Sequence, residues 1–281
     1  MPGTAHAFEP EALDLATFNR MAEFIYRYSG IKMPSNKITM LEGRLRRRLR
    51  ATGMKSFRDY CDYLFGEGAE REHVYFIDAV TTNKTDFFRE PRHFEVMQNN
   101  VIPDLVAQGY SNLRIWSSAC SSGAEPYTIA MLLEEAVAAR QVDNYTILAT
   151  DLSTEILQQA QRAVYDAPFL APVPPHLAAK YVMQPLDRHR IDRRISPKLR
   201  SRVGFGRLNL MDHAYAVGDP MHMIFCRNVL IYFDKPTQQA VLSRLCDCLL
   251  TGGYLFIGHS ESIAGMNLPV RQVANTVFVK T

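Results

Sequence analysis

Small residues fill positions 117–124 of WSSACSSGAEPY, between a predicted strand and a predicted helix that begins near Glu125. Small side chains let backbone N–H groups approach a ligand closely, and Pro126 is favoured in a first helical turn. The stretch lacks the glycine and lysine pattern of a phosphate loop, and a carboxylate there would repel a phosphate. Glu125 could attract a cation such as an α-ammonium, or it could only complement the helix dipole; this turn by itself favours neither role.

Asp151 ends the next predicted strand, in YTILATD. A carboxylate at that place in a dinucleotide-binding fold accepts the hydroxyls of a ribose. The alternative is a cap for the following helix, which Ser153 could provide equally well. Acidic residues at two successive strand ends favour an adenosine carried by a cationic group rather than by a pyrophosphate. S-adenosylmethionine, which has a ribose, an α-ammonium and a sulfonium, fits these requirements.

Asparagines follow two later strands, Asn209 in RLNLMD and Asn228 in FCRNVLIYF. An amide both donates and accepts hydrogen bonds, which suits the edge of an adenine or the end of an amino acid. Asparagine is also an ordinary turn residue, and taken alone each of these two is better explained as one. A further polar cluster surrounds two phenylalanines in TTNKTDFFRE, residues 81–90.

These turns need a parallel sheet whose strands end side by side, because ligands bind beyond the carboxyl ends of such strands. Strands and helices alternate in the second part of the chain, which predicts a doubly wound α/β sheet with helices on both faces. The predicted strands cover residues 113–119, 144–151, 202–210, 222–229, 252–259 and 273–281. A proline- and arginine-rich stretch at about 165–205 interrupts the alternation and predicts an inserted subdomain.

The first third of the chain is predicted to be helical. Gly30 is the expected C-cap of a first helix over residues 14–30. A second helix, within residues 36–54, combines an apolar stripe with a basic face. The arginines on that face are Arg44, Arg46, Arg47 and Arg50. A charged face of this kind is usually only solvated.

Composition sets broad limits on the function of these 281 residues. The net charge of +3 is too small to imply a nucleic-acid partner, and we find no apolar run that could span a membrane. The N-terminus lacks the basic and apolar regions of a signal peptide. Five cysteines without CxxC spacing argue against a disulfide framework or a metal site and for a reducing cytoplasm.

Taken together, the motifs resemble those of the CheR-type chemotaxis receptor methyltransferases. The matching segments are TTNKTDFFRE, WSSACSSGAEPYTIA, ATDLSTEIL, IFCRNVLIYFDKPTQ and GGYLFIGHSES, in the family's order within residues 15–281. The resemblance implies a Rossmann-like class I S-adenosylmethionine-dependent methyltransferase domain over 86–281, with an inserted β-subdomain, and an all-α domain over 1–85. It also implies an enzyme that methylates glutamate carboxylates of chemoreceptors, giving methyl esters and S-adenosylhomocysteine, for sensory adaptation. We expect this enzyme to be a cytoplasmic monomer.

The resemblance further implies the residues of the site. Those that would contact the cofactor are Asn83, Thr85, Arg89, Glu125, Asp151, Asn209, Leu210, Arg227 and Asn228. Arg89 and Tyr232 would lie near the transferred methyl group, and only the family singles them out. The basic face would dock the acidic, cytoplasmic helical region of a receptor. Residues 184–198 lack the glycine with which some members bind a receptor's C-terminal pentapeptide, so an enzyme independent of that peptide is predicted.

Other functions fit the sequence less well. A nucleic-acid methyltransferase would share the fold, but amino-targeting versions carry [DN]PP[YF] after the fourth strand, where this chain has CRNVLIYF. A non-catalytic S-adenosylmethionine-binding signalling module would not need Arg89 and Tyr232. A nicotinamide dehydrogenase would need a glycine fingerprint that the first turn lacks.

Overall fold

The computed structural model describes residues 11–187 and 191–281. Most of the segment that we examined for a signal peptide, residues 1–10, lies outside the described residues, as do residues 188–190 of the glycine-free stretch. The chain divides after Thr82 into two compact units. No helix in the described part of the chain combines the length and the apolar character that crossing a bilayer requires.

Four α-helices build the described part of the first unit: α1 (Leu15–Ser29), α2 (Ile38–Thr52), α3 (Phe57–Phe65) and α4 (Ala69–Val80). Gly30 ends α1 in the left-handed region, at φ 73°, which confirms the predicted C-cap. The predicted apolar stripe of α2 is buried at Leu41, Leu45 and Leu49, and its arginines lie off that stripe.

The second unit contains a seven-stranded sheet. Its strands are β1 (Asn112–Ser117), β2 (Asn144–Asp151), β6 (Val203–Arg207), β7 (Met221–Cys226), β8 (Leu249–Ile257), β9 (Val270–Ala274) and β10 (Val277–Lys280). They lie in the order β6-β2-β1-β7-β8-β10-β9. The first five of these pair in parallel, and β10 is antiparallel to both of its neighbours. The predicted α/β fold class is therefore confirmed.

One predicted strand is wrong. Residues 273–281 do not form a single strand, because the chain reverses at Asn275 and Thr276 between β9 and β10. Thr276 has a φ of 54°, a left-handed conformation that is unusual for a β-branched residue. No glycine or proline marks this turn, so the apolar residues on its two sides were interpreted as continuous.

Helices cover the sheet, and large apolar side chains fill the interface. The helices are α5 (Pro91–Val96), α6 (Ile102–Ala107), α7 (Ala124–Ala138), α8 (Thr154–Arg162) and α11 (Lys235–Asp247). A π-helical turn at Met97–Val101 joins α5 to α6. Within the core, the rings of Phe225 and Phe256 stack with centroids 4.3 Å apart. All five cysteines are free thiols, and all but Cys248 are buried.

A second, three-stranded antiparallel sheet lies between α8 and β6. It comprises β3 (Val164–Asp166), β4 (Val182–Met183) and β5 (Asp192–Ile195), with α9 (Pro175–Tyr181) and α10 (Pro197–Arg200) beside it. Two ion pairs join these helices to α7. Lys180 Nζ lies 2.6 Å from Glu135 Oε2, and Lys198 Nζ lies 2.5 Å from Glu134 Oε1. The small sheet is thereby fixed to the helix that follows the first strand.

Candidate active site

The small-residue loop that follows β1 brings the end of that strand into contact with its neighbours. Gly123 precedes α7 with a φ of 91°, and a Cβ at this position would lie 3.0 Å from Ala160 Cβ and from Tyr165 Oη. Glycine is therefore favoured here both by the positive φ and by close packing against Ala160 and Tyr165. The hydroxyl of Ser121 donates to the carbonyl of Asn83 at 2.8 Å, so the segment that begins at residue 83 lies against this loop.

Asp151 links the ends of β1 and β2. Its Oδ2 accepts the backbone N–H of Ser121 at 2.8 Å, and its Oδ1 accepts that of Ser153 at 3.0 Å. Ser153 itself caps α8, because its side chain accepts the N–H of Ile156. The cap that we considered as an alternative role for Asp151 is therefore provided by Ser153. The Asp151 carboxylate is half-buried, and its contact with a ribose remains a prediction.

A cavity of about 420 Å³ opens beside these residues. Asn83 and Thr85, both expected cofactor contacts, line it together with Ser122 of the small-residue loop, and aromatic side chains of Tyr165 and Phe169 form part of its wall. Polar groups that converge on a partly apolar cavity of this size are typical of a small-molecule site. This lining fits a small polar molecule, and it includes two of the expected cofactor contacts but not Glu125, Asp151 or Asn228.

Arg227 follows β7, and its buried guanidinium is paired with two carboxylates. Nη1 donates to Glu125 Oε2 at 2.9 Å, and Nη2 donates to Glu90 Oε2 at 3.0 Å and also to the backbone carbonyl of Arg89. The other oxygen of Glu125 accepts the hydroxyl of Ser117 at 2.7 Å. Only 2% of the Arg227 side chain is exposed, so these two carboxylates are needed to compensate its buried positive charge.

Glu90 belongs to this site although the sequence did not single it out. Its Oε1 accepts Nδ2 of Asn228 at 3.0 Å and the backbone N–H of His259 at 3.2 Å. Burial alone would raise the pKa of Glu90, but the hydrogen bond from Asn228 and the charge of Arg227 outweigh it and lower the pKa to about 2. Its position directly after Arg89 in the FFRE motif was the available signal.

Backbone strain concentrates at the same place. Phe88, Glu90 and Asn228 all have left-handed conformations, with φ values of 54°, 57° and 60°. Non-glycine residues hold such conformations only where surrounding contacts enforce them, and these positions cluster at functional sites. Glu90 and Asn228 supply one such contact to each other.

Ligand atoms of Glu90, His93 and His259 lie within 4.8 Å of one another, a spacing that a metal ion could occupy. The carboxylate of Glu90 already accepts hydrogen bonds on both oxygens, from Arg227 and from Asn228. The guanidinium charge 3.0 Å from that carboxylate opposes a second cation. We therefore interpret this cluster as part of the hydrogen-bond network that holds the loop after β7.

The residues expected near the methyl group are close in sequence to this network. Arg89 is half-buried, and its Nη1 donates to the carbonyl of Lys84 at 2.9 Å. Tyr232 is half-buried in a 3₁₀ turn, Leu230–Tyr232, that begins two residues after Asn228. Their roles at the methyl group remain predictions.

Asn209 and Leu210 follow β6, next to the end of β2. The N–H of Leu208 donates to the carbonyl of Asp151 at 3.1 Å and places this turn beside Asp151. Asn209 Oδ1 accepts the N–H of Met211 at 3.0 Å, which is ordinary turn chemistry, and Leu210 is buried. The expected cofactor contacts of both residues remain predictions.

The arginines of α2 differ in what they contact. Arg44 donates to the carbonyls of Val80 and Thr81, at the end of α4. Arg46 pairs with Glu42 on its own helix at 2.7 Å. Arg47 and Arg50 are exposed. These last two are therefore the best placed of the expected docking residues to meet a partner.

Two family models match the chain. The model described as "CheR methyltransferase, SAM binding domain" matches residues 83–279, and the one described as "CheR methyltransferase, all-alpha domain" matches residues 16–81. A chemotaxis protein methyltransferase of Escherichia coli is 36% identical over 95% of this chain and 91% of its own length. That of Borreliella burgdorferi is 36% identical over 88% of each chain, and chemotaxis protein methyltransferase 2 of Pseudomonas aeruginosa is 36% identical over 93% of this chain and 91% of its own. The resemblance is confirmed: the chain belongs to the CheR family of S-adenosylmethionine-dependent methyltransferases.

Proposed function

We propose that this enzyme methylates glutamate side chains of chemoreceptors, with S-adenosylmethionine as the donor and S-adenosylhomocysteine as a product. The observation that carries the proposal is the hydrogen-bonded network that joins the ends of β1, β2 and β7 to the segment from Asn83 to Glu90. The similar proteins from Escherichia coli, Borreliella burgdorferi and Pseudomonas aeruginosa, named chemotaxis protein methyltransferases, support the choice of pathway.

The chain's own residues would bind and align the reactants. Asp151 would accept the ribose hydroxyls, while Glu125 would face the methionine end. When bound, the cofactor supplies an electrophilic methyl group on a sulfonium. The acceptor glutamate has an ordinary pKa near 4.3 and is ionised at neutral pH, so the site needs no general base. Alignment and partial exclusion of water are then the main tasks, and good alignment alone can lower a barrier by roughly 7–11 kcal/mol.

Arg89 and Tyr232 would act on the acceptor. The guanidinium of Arg89 can orient a carboxylate, although a tight bidentate clamp would also reduce its nucleophilicity. Tyr232 can pack beside the methyl group or donate one hydrogen bond. Arg89→Ala and Tyr232→Phe should each lower kcat, whereas Arg92→Ala, at an exposed position nearby, should not. Unchanged kcat in both site variants, with intact cofactor binding, would show that these roles are wrong.

The exposed arginines of α2 would attract the acidic helical region of a receptor. Reversing charge at Arg47 and Arg50 should weaken receptor methylation and reduce its dependence on salt, because charge steering is screened by salt. Arg58→Glu, at an exposed position on α3, is the matched control. Affinity for S-adenosylhomocysteine should not change in any of these variants. A loss of that affinity would argue against a docking role.

For the inserted subdomain we propose independence from a receptor-tail pentapeptide, and three residues of the relevant stretch, 188–190, lie outside the described part of the chain. Calorimetric titration with such a peptide should give no binding at micromolar concentration. We further propose a cytoplasmic monomer. Light scattering at assay concentration should then give a mass near 32.0 kDa.

The decisive experiment uses S-adenosylmethionine carrying a labelled methyl group, with receptor and nucleic acid offered as alternative acceptors. Label on the receptor that is released by alkali identifies a carboxyl methyl ester and supports the proposal. Stable label on nucleic acid would favour the rival methyltransferase. Binding of the cofactor without transfer to either acceptor would favour a non-catalytic module.

A further inference from the structure

Glu261 lies in the GHSES segment that follows β8, and its carboxylate is enclosed by backbone. Oε1 accepts the N–H of Leu230 at 2.7 Å, while Oε2 accepts those of Asn228 at 3.1 Å and Gly258 at 2.5 Å. Only 7% of the residue is exposed. Backbone N–H groups from two segments thus converge on one carboxylate, as they do around a bound anion, and here the anion is a side chain of the protein itself.

The contact between this segment and the loop after β7 is close enough to require glycine. A Cβ at Gly258 would lie 2.6 Å from Nδ2 of Asn228, 2.9 Å from its backbone nitrogen and 2.9 Å from Oε2 of Glu261. Real Cβ atoms are not found at such distances from backbone atoms. The segment Gly258–Glu261 and the loop Arg227–Tyr232 therefore pack as one unit.

Asn228 is held from two sides within that unit. Glu90 accepts its side-chain amide, and Glu261 accepts its backbone N–H. Asparagine tolerates its left-handed φ of 60°, and these two contacts select that conformation over the others open to the loop. A change of that conformation would move Arg227 and Tyr232, which stand on the same short loop.

We infer that Glu261 is a positioning residue, which sets the conformation of the loop that carries Arg227, Asn228 and Tyr232 without itself touching cofactor or acceptor. This inference rests on the proposed function, because the loop matters for catalysis only if those residues serve the transfer. Glu261 differs from an ordinary buried carboxylate in that backbone N–H groups, among them those of Asn228, Leu230 and Gly258, contact it in place of a side-chain cation. Burial raises the pKa of Glu261 in spite of these hydrogen bonds.

Glu261→Gln tests the inference with little change in shape. In either orientation of the new amide, its NH₂ group would face a backbone N–H that donates to a carboxylate oxygen of Glu261 in the unaltered enzyme. We expect kcat to fall roughly 10- to 100-fold, since a displacement of about 1 Å can have an effect of that size. Affinity for S-adenosylhomocysteine, measured by calorimetry, should fall as well.

Glu134→Gln is the matched control. Glu134 is also a buried carboxylate, but it contacts Lys198 and Tyr145 instead of the loop after β7. This variant should lose stability and keep its kcat at temperatures where it is folded. A similar kcat loss in both variants would mean that Glu261 acts only through general stability, and a folded Glu261→Gln enzyme with unchanged kcat and affinity would equally overturn the inference.

Two further measurements keep the test decisive. If Glu261→Gln does not fold, amide hydrogen exchange of the unaltered enzyme replaces it: the amides of Asn228 and Leu230 should be protected as strongly as those of β8. Exchange at the rate of an open loop would contradict the inference. The calorimetric readout needs no acceptor, so a wrong proposed acceptor would appear as an inactive unaltered enzyme, whereas a wrong role for Glu261 would appear as unchanged affinity.

Discussion

Nη1 of Arg227 lies 2.9 Å from Oε2 of Glu125, so two residues that were expected to contact the cofactor contact each other. Glu90 is the second acidic partner of the same guanidinium. Two carboxylates and one guanidinium leave one negative charge at the end of the sheet. A cationic ligand would therefore meet a net attraction even though Glu125 is already paired, and Arg227 would hold Glu125 in a fixed orientation.

We predict that Glu125→Gln lowers the affinity for S-adenosylhomocysteine by roughly 10- to 100-fold, because a charge-assisted hydrogen bond contributes about 1.5–3 kcal/mol. Isothermal titration calorimetry measures the change. Glu155→Gln is the control, since Glu155 stands in the first turn of α8 and shares any interaction with a helix dipole. If both substitutions had equal and small effects, Glu125 would interact only with the helix dipole, and the prediction that it contacts the cofactor would be wrong.

Glu90→Gln should also weaken cofactor binding about tenfold, because it removes one of the two acidic partners of Arg227. The effect on binding should be the same from pH 6 to pH 8, because the pKa of Glu90 is lowered to about 2 and the carboxylate stays ionised throughout that range. The contribution of this charge to folding stability is fully present above the unfolded-state pKa near 4.5 and is lost as the pH falls through about 2. Glu95→Gln, at an exposed position on α5, provides the comparison. Wild-type affinity in Glu90→Gln would contradict the prediction.

The sequence predicted those parts of the site whose positions follow from local patterns, and it missed those that depend on residues far apart along the chain. Asp151 and Asn228 were found because strand periodicity and the topology of a parallel sheet together fix where strands end. Glu90 and Glu261 were missed because their partners lie 138 and 33 residues away along the chain. Pairing at that range leaves no periodic pattern. Arg89 and Tyr232 were found only through the family.

The fold likewise combines elements that local sequence patterns predict with elements that long-range packing determines. Regular strands such as β2, Asn144–Asp151, were predicted with their bounds because alternation and flanking residues agreed. No helix was predicted over residues 91–107, where Pro103 normally marks a boundary. The π-helical turn Met97–Val101 leads the chain into that proline without ending the helix. Packing against the sheet determines the conformation there, and such packing leaves no signal in the local sequence.

We predict that His93 makes the enzyme less stable in mild acid. Burial, followed by the charge of Arg227, lowers the pKa of His93 to about 3, whereas the unfolded chain has a value near 6.5. The unfolded state therefore binds more protons between these values, and the free energy of unfolding falls as the pH drops below 6.5, by about 1–2 kcal/mol at pH 5. Urea unfolding at pH 7 and pH 5 measures this. His93→Gln should reduce the difference and the exposed His213→Gln should not; an unchanged slope in His93→Gln would refute the assignment.

The last prediction separates structural from exposed arginines on α2. Arg48 forms two hydrogen bonds with Glu72, at 2.8 and 2.9 Å, and Tyr60 donates to the same carboxylate. Only 15% of the Arg48 side chain and 3% of that of Glu72 are exposed. Removing one partner of a buried pair leaves the other charge uncompensated, so Arg48→Ala should lower the free energy of unfolding by about 3 kcal/mol.

Arg50→Ala, two positions along the same helix, removes the same charge from an exposed site and should change stability by less than about 0.5 kcal/mol. Chemical denaturation of the two variants gives the comparison. If the arginines of α2 served only as a solvated basic face, the two substitutions would have similar, small effects on stability. A large loss for Arg48→Ala alone would mean that charge reversal at Arg47 and Arg50 can test receptor docking without unfolding the helical unit.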